Sequence, residues 1–436
     1  MKKYTDALRY LDTFVNYEKK GFSGLSAGFD LSRVMSCLKK LGHPERSYRS
    51  IHVAGTKGKG SVAAFSASIL RASSMKTGLY TSPHLSSPVE RIAYNGKNIS
   101  RSEFAEGINF LSGALGPDIN KRLTYFEFFT VLAMWFFAAE KVDVAVFETG
   151  MGGRLDATNV IVPEVCVITS ISRDHTKVLG NSLEKIAREK AAIIKKGAVC
   201  VSARQKRAPL RVIKEVCQTA DVPLVLMGRD IKCGEERVFE EGSVFDLVTP
   251  GGRYEDCRTT MPGEFQIENA AVAAAVCEIF WKRSRLGEID PRAMREGIKK
   301  AFLPGRVEVL ARNPLLVIDG AHNVSSIERL AETVKKVFDY DKLILITGFC
   351  DDKEIKKACS VLARLADSVI VTRAGTPRSA SPEKVARFFQ GKNPVVSGDV
   401  TEALKRAFSD AGKKDMILAA GSLYLAGEVR QIMKRK

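Results

Sequence analysis

The stretch Ile51 to Phe65, "IHVAGTKGKGSVAAF", runs from a β-rich segment through glycines and a lysine into an apolar stretch with helical potential. That order is the context a phosphate-binding loop needs. Glycines such as Gly55, Gly58 and Gly60, with Thr56 between them, let backbone N–H groups turn inward around phosphate oxygens. Lys59 adds a point charge, and the new helix presents its positive end. The spacing departs from the common G-x-x-x-x-G-K-[ST], because Gly60 follows Lys59 and has no hydroxyl to offer magnesium. Either Ser61 adapts or a metal ligand comes from elsewhere. A phosphate site is the natural inference, and a glycine-rich turn without a ligand is the lesser alternative for the loop alone.

Other candidates stand at the ends of apolar runs. "VDVAVFETGMGGRLDATN" puts Glu148 just beyond a buried-looking strand, where nucleotide-hydrolysing enzymes place a magnesium ligand; alone it could equally cap a helix. Gly150, Gly152 and Gly153 follow, a loop that approaches a ligand closely, with Arg154 and Asp156 as its polar groups. "ITSISRDHTKVLG" carries His175, and "IAREKAAIIKKG" carries Lys190, which composition alone makes a solvated helix lysine. Of five histidines, His84, His175 and His322 all fall in strand-end loops with small polar neighbours, which points toward function. Asp319 follows "LLVI" at the carboxyl end of a strand, where α/β domains bind ligands, or where an ordinary Asp-Gly turn would stand.

Two alternating series of elements position these residues. In the first, "SIHVAG", "VDVAVFE", "VCVITSI" and "AVCVSA" alternate with helix-like stretches over Ser61 to Ser74, Phe126 to Glu140 and Leu183 to Lys195. In the second, "LLVIDG", "KLILITG", "DSVIVT", "NPVVS" and "DMILAAG" alternate with Ser325 to Phe338, Lys353 to Leu365, Pro382 to Phe389 and Thr401 to Ala411, before a last helix from Leu423. Such alternation predicts parallel sheets flanked by helices. Pro304-Gly305 is the expected hinge, since proline ends the preceding helix and glycine frees the next backbone angle. Arg229 to Pro262 reads as hairpins on the edge of the first domain.

A chain of 436 residues is expected to form two domains. The start, "MKKYTDALRYLDTF", has charges where a signal peptide needs an apolar core, and no long uncharged apolar run occurs, so a cytoplasmic protein without a membrane segment is expected. Nine cysteines are scattered singly, with no zinc-ligand spacing, and are expected to be reduced core residues. The net charge of +18 suits a polyanionic partner, or simply reflects a basic proteome or solubility. Its lysines and arginines are dispersed and lack aromatic interleaving, which argues against nucleic acid.

In this order the motifs resemble the folylpolyglutamate synthase and dihydrofolate synthase family, folate relatives of the Mur peptide ligases. The likeness rests on "VAGTKGKGS", "TSPHL", "TYFE", "ETGMGGRLDATN", "DHTKVLG", "EKAAIIK", "PGRVE", "DGAHN" and "AGSLYLAGEVR" and spans nearly the whole chain. It implies an α/β fold: an N-terminal P-loop-type ATPase domain with a mostly parallel sheet over residues 1–303, and a smaller Rossmann-like domain over 304–436. Gly55, Thr56, Gly58, Lys59, Gly60 and Ser61 would hold ATP, joined by Asn269, Arg306, Asp319 and His322. Ser82, Glu148 and His175, with Ser61, would ligate magnesium, and Lys190, carbamylated to an anion, would bind a second magnesium ion. A monovalent cation such as potassium would accompany them. The catalytic set is then Lys59, Glu148, His175 and Lys190. Thr124, Tyr125, Phe126 and Glu127, with Leu155, Asp156 and Ala157, would form the pterin side, and Gly28 to Val34 a further lip.

The implied reaction is ATP-dependent addition of L-glutamate to a reduced folate or to dihydropteroate, by a cytoplasmic monomer. Ala192, Glu264-Phe265 and Ser172-Arg173 depart from the family's usual residues, and Arg173 is a candidate for binding a substrate carboxylate. A Mur-type ligase acting on a cell-wall precursor is the nearest alternative, distinguished by its use of a UDP-sugar peptide. A P-loop ATPase working on nucleic acid is a more distant one, distinguished by salt-sensitive DNA or RNA binding.

Overall fold

The computed structural model describes residues 3–20, 30–351 and 354–435. The first series forms an eight-stranded sheet from β1 (Arg49–Ala54), β2 (Thr77–Tyr80), β3 (Ile92–Tyr94), β4 (Lys97–Asn98), β5 (Val144–Glu148), β6 (Val165–Ile168), β7 (Val199–Ser202) and β8 (Leu224–Leu226). Their order is β4-β3-β2-β5-β1-β6-β7-β8, and only β3 and β4 run antiparallel to their neighbours. The central strands are buried on both faces, which is why they read as unbroken apolar runs rather than as an alternation. Val144 and Val146 enter one core, with the Lys59–Ala72 and Glu264–Arg283 helices. Ala145 and Phe147 enter the opposite one, with Tyr125–Ala139 and Arg101–Leu115. At roughly 1.5–3 kcal/mol for each large apolar side chain buried, these two layers fix the register of β1 and β5.

Residues beyond β8 form a separate antiparallel sheet of β9 (Lys232–Phe239), β10 (Gly242–Thr249) and β11 (Gly252–Thr259). The hairpins expected at the sheet edge do not extend the main sheet. They pack instead on the Glu264–Arg283 and Pro291–Lys300 helices, because Phe245, Leu247 and Cys257 turn their apolar faces there. The second series gives a six-stranded sheet of β12 (Glu308–Arg312), β13 (Leu315–Ile318), β14 (Leu343–Thr347), β15 (Ser368–Val371), β16 (Val395–Val396) and β17 (Met416–Ala420). Its order is β12-β13-β17-β14-β15-β16, parallel except for β12. Both parts therefore have the expected α/β architecture, the second smaller than the first.

Several elements differ from the sequence expectation. The helix anticipated over Leu183 to Lys195 ends at Ala191, where a turn sinks both Ile193 and Ile194 into the core. The one expected from Lys353 begins at Ile355, Lys353 itself lying outside the described residues, and the one over Pro382 to Phe389 stops at Ala386. Strands β2, β3, β4 and β8, and the helices Tyr4–Leu11, Leu31–Lys40 and Arg101–Leu115, were not anticipated. All nine cysteines are free thiols, eight of them buried. No described helix is long and apolar enough to cross a membrane.

Candidate active site

β1 lies between β5 and β6; the chain leaves β1 toward β2 on one side and crosses from β5 to β6 on the other, so a crevice opens at the carboxyl ends of these three strands. The 55–58 loop starts there. It is held from behind by the segment after β6: Thr56 and Lys57 donate their N–H groups to the Ser170 carbonyl at 3.0 and 3.3 Å. Gly58 caps the following helix with φ +84°, and a Cβ there would run into the Asn269 side-chain oxygen. The first N–H groups of the helix, beginning at Lys59, lack intrahelical partners by geometry and define an anion-binding end.

Beside it, Glu148 closes β5 and is 6% exposed. Its Oε2 accepts the Ser82 N–H at 3.1 Å, and its Oε1 lies 3.9 Å from the Lys59 ammonium. Burial pushes the Glu148 carboxyl up from its usual range, against the opposing pull of Lys59. The Ser82 hydroxyl is buried with no hydrogen-bond partner among the described residues. His175, in the left-handed region at φ +48°, begins the short Thr176–Leu179 helix and donates its N–H to Asp174 Oδ1 at 3.0 Å. Lys190, 4% exposed, donates to the Gly55 carbonyl at 2.7 Å, and burial, with Lys59 nearby, brings its ammonium down to about 7. The Gly153 position lies so close to the Glu189 and Lys190 carbonyls that a Cβ would come within 2.7 and 2.9 Å of them.

A cavity of about 620 Å³ joins these groups to the C-terminal part. Gly55, Thr56, Lys59, Ser82, Glu148, His175 and Lys190 line it, as do Thr124, Phe126, Glu127, Leu155, Asp156 and Ala157. Arg306 and His322 complete the wall from the second domain. A smaller annex of about 140 Å³ is lined by Gly58, Gly60, Ser61, Asn269, Asp319 and Phe265.

The structure places other residues away from the cleft. Tyr125 lines neither cavity; its ring lies in the core, 5.3 Å from the Arg91 guanidinium, because Thr124 and Glu127 form a capping box that turns the next residue inward. Glu127 also receives Arg33 Nη2 at 2.8 Å, so the described end of the expected lip is tied to that box, while Gly28 and Phe29 fall outside the described residues. His84 accepts from Arg91 Nε at 2.9 Å and lines neither cavity, unlike His175 and His322. Arg173 is exposed and also lines neither. Asp319 accepts the N–H groups of Val307 at 2.8 Å and Ala321 at 2.7 Å, which folds the Arg306 turn against the annex.

Sequence reasoning missed the wall formed by Asn16, Tyr17 and Glu18. Arg378 Nη1 and the Tyr424 hydroxyl both donate to the Glu18 carbonyl, at 3.0 and 3.1 Å, joining that segment to the second domain. Tyr424 lies within the quoted "AGSLYL", but nothing in the pattern near Glu18 marked it.

The Mur ligase middle domain matches residues 53–277, and the Mur ligase glutamate ligase domain matches 305–423. A Bacillus subtilis (strain 168) dihydrofolate synthase/folylpolyglutamate synthase is 35% identical over 408 residues, 93% of this chain and 95% of the relative. The chain belongs to the folylpolyglutamate synthase and dihydrofolate synthase family. A Lacticaseibacillus casei member, a folylpolyglutamate synthase, is 32% identical over 99% of this chain and 98% of its own. The family's Mycobacterium tuberculosis folylpolyglutamate synthase, solved with ADP, superposes with a TM-score of 0.91 at 32% identity, covering 99% of this chain and 98% of that one. An FPGS–AMPPCP–folate complex gives a TM-score of 0.87 at 30% identity, over 99% of each chain. Membership makes this chain an ATP-dependent ligase.

Proposed function

We propose that the cleft joins L-glutamate to the carboxylate of a reduced folate or of dihydropteroate through an acyl phosphate. ATP-dependent ligation of glutamate to folate follows from the family; the choice between the two acceptors, and the residues that act, are the finer reading. The observation that carries it is a single cavity that brings the anion-binding loop, a buried carboxylate and a half-apolar chamber within reach of both domains. A carboxylate does not condense with an amine in water because its oxygen is a poor leaving group. Transfer of the γ-phosphoryl group breaks the bond to ADP and forms one to the carboxylate oxygen. The glutamate amine then attacks the acyl carbon, and inorganic phosphate departs from the tetrahedral adduct.

In this reading the Gly58–Ser61 backbone and Lys59 hold the transferring phosphoryl group, which concentrates positive charge where negative charge develops. Arg306, Asp319, Asn269 and His322 complete the nucleotide side, and Phe126, Leu155, Asp156 and Ala157 face the pterin. We divide the chain at 303/304, and seating the second domain at Pro304-Gly305 excludes the water that would hydrolyse the acyl phosphate. We take the monomer as the acting form. ATP and glutamate are cytoplasmic metabolites, which supports that location.

Magnesium suits the donors present. Among the described residues no three of His, Cys, Asp and Glu converge as a ready-made cage. Magnesium nonetheless keeps several waters and uses one or two carboxylates plus substrate phosphates. Glu148, the unpartnered Ser82 hydroxyl and His175, with Ser61 nearby, would hold it, and it would supply Lewis-acid neutralisation of phosphate charge. Ser82→Ala should therefore raise the magnesium concentration for half-maximal activity about tenfold, read from a magnesium titration at saturating ATP; an unchanged midpoint removes Ser82 from the ligand set. A carbamate on Lys190 would add a second anionic ligand, and potassium would be the monovalent companion.

The whole reading is tested with purified protein, ATP, magnesium and L-glutamate. ADP should be released only when dihydropteroate or tetrahydrofolate is also present, and comparing the two acceptors assigns the preference. ADP release that ignores both, or that responds to a UDP-sugar peptide, would replace it with the cell-wall alternative or a plain ATPase.

A further inference from the structure

One side chain from the second domain touches two loops of the first at once. Asn323 caps the Val324–Val337 helix, its Oδ1 accepting the Ser326 N–H at 3.1 Å. The same oxygen accepts from the Lys57 ammonium of the phosphate loop. Its Nδ2 donates to Asp174 Oδ2 at 3.2 Å, and Asp174 Oδ1 in turn holds the N–H of His175. The orientation of the amide is fixed by these neighbours: the acceptor must face the ammonium and the helix N–H, and the donor must face the carboxylate. Asp174 also sits at the positive end of that helix, where an anion is favoured. All three side chains line the annex beside Gly58 and Ser61.

We propose that Asn323 is a positioning residue that couples the seating of the second domain to the phosphate loop and to the His175 loop. The coupling follows from reach. Lys57 lies two residues before Lys59, and Asp174 one residue before His175, so both loops take their final placement from an amide that belongs to the other domain. When the domains part, both contacts are lost together, and the phosphoryl-transfer geometry loosens on two sides. Reaction rates fall steeply with such loosening, about a hundredfold for a misplacement near 1 Å. This inference rests on the assignment of the phosphate loop to ATP.

Asn323→Ser separates the clamp from the cap. Serine is an equally good helix cap but is too short for either cross-domain bond. The expected result is an unchanged thermal midpoint, a kcat lowered roughly 10- to 100-fold, and a larger share of ATP hydrolysed without amide formation. Asn323→Asp keeps the cap and the Lys57 acceptor but sets a carboxylate against Asp174, and should be at least as impaired. Adding Asp174→Asn to Asn323→Asp restores a donor–acceptor pair with its direction reversed, and should recover kcat to within a few-fold of the parent. An Asn323→Ser enzyme with parental kcat and KM, or a double variant no better than Asn323→Asp, overturns the proposal. Should Asn323→Ser fail to fold, the Asn323→Asp pair, which keeps the cap, carries the test. Lys59→Ala made alongside separates the two levels: its inactivity beside a normal Asn323→Ser defeats the coupling and leaves the phosphate loop assigned.

Discussion

Replacement of Lys59 by alanine is expected to lower kcat by on the order of 10²–10³. Lys59 opens the helix at the anion-binding loop, and its ammonium lies 3.9 Å from the buried Glu148 carboxylate. On the proposed reading, removal takes away charge stabilisation of the transferring phosphoryl group. It also removes the largest of the groups that oppose the desolvation of Glu148, leaving the Ser82 N–H and Arg306, so the carboxyl climbs further and binds a proton more readily. The acidic limb of the pH–rate profile should then move to higher pH in Lys59→Ala. Stopped-flow measurement of ADP formation, with the pH profile, checks both effects. A kcat within threefold of the parent would leave the loop's charge to the backbone alone.

The second large effect is expected at Lys190. A carbamate forms when a neutral amine attacks carbon dioxide, making an N–C bond and releasing one proton. An ordinary lysine is almost wholly protonated at neutral pH, whereas burial brings Lys190 to about 7 and leaves a large share reactive. Lys190→Ala should lose activity by on the order of 10² or more, as removal of a charged group at a reacting site does, and a small carboxylic acid added to the buffer should restore part of it. Parent enzyme equilibrated with carbon-13 bicarbonate should show a carbamate resonance that Lys190→Ala lacks. Activity below pH 7 should fall as the ammonium persists, and added bicarbonate should partly offset the fall. The linkage has a definite sign: with the folded value lowered toward 7, the unfolded chain binds more protons between there and the free-lysine value, so stability rises with pH across that window. A fully active Lys190→Ala would end the carbamate proposal.

Much of the site was legible because its chemistry sits at strand ends. Glu148, His175 and Asp319 could be read from apolar runs that stop at a polar residue, and a parallel sheet brings such ends to one edge. Lys190 was harder: nothing local shows that its helix carries it to the Gly55 carbonyl, since that contact spans 135 residues. Tyr125 and His84 show the opposite limit. Both lie in motifs that bear chemistry, yet the fully buried Arg91, paired with Glu18, recruits them into a core network. Nothing in the sequence pattern singles out Arg91, and only the fold shows it enclosed. The segment around Glu18 and the amide of Asn323 were missed for a related reason, because their partners come from the other domain and no periodicity records a contact between domains.

The most direct measurement follows the oxygen atoms. The acceptor, folate or dihydropteroate, is prepared with oxygen-18 in its reacting carboxylate and turned over with ATP and L-glutamate, and the inorganic phosphate is analysed by mass spectrometry. One heavy oxygen per phosphate released is expected, because that oxygen bridges carbon and phosphorus in the acyl phosphate and leaves with phosphorus. Phosphate carrying only solvent or ATP oxygen would contradict activation of the carboxylate by phosphoryl transfer.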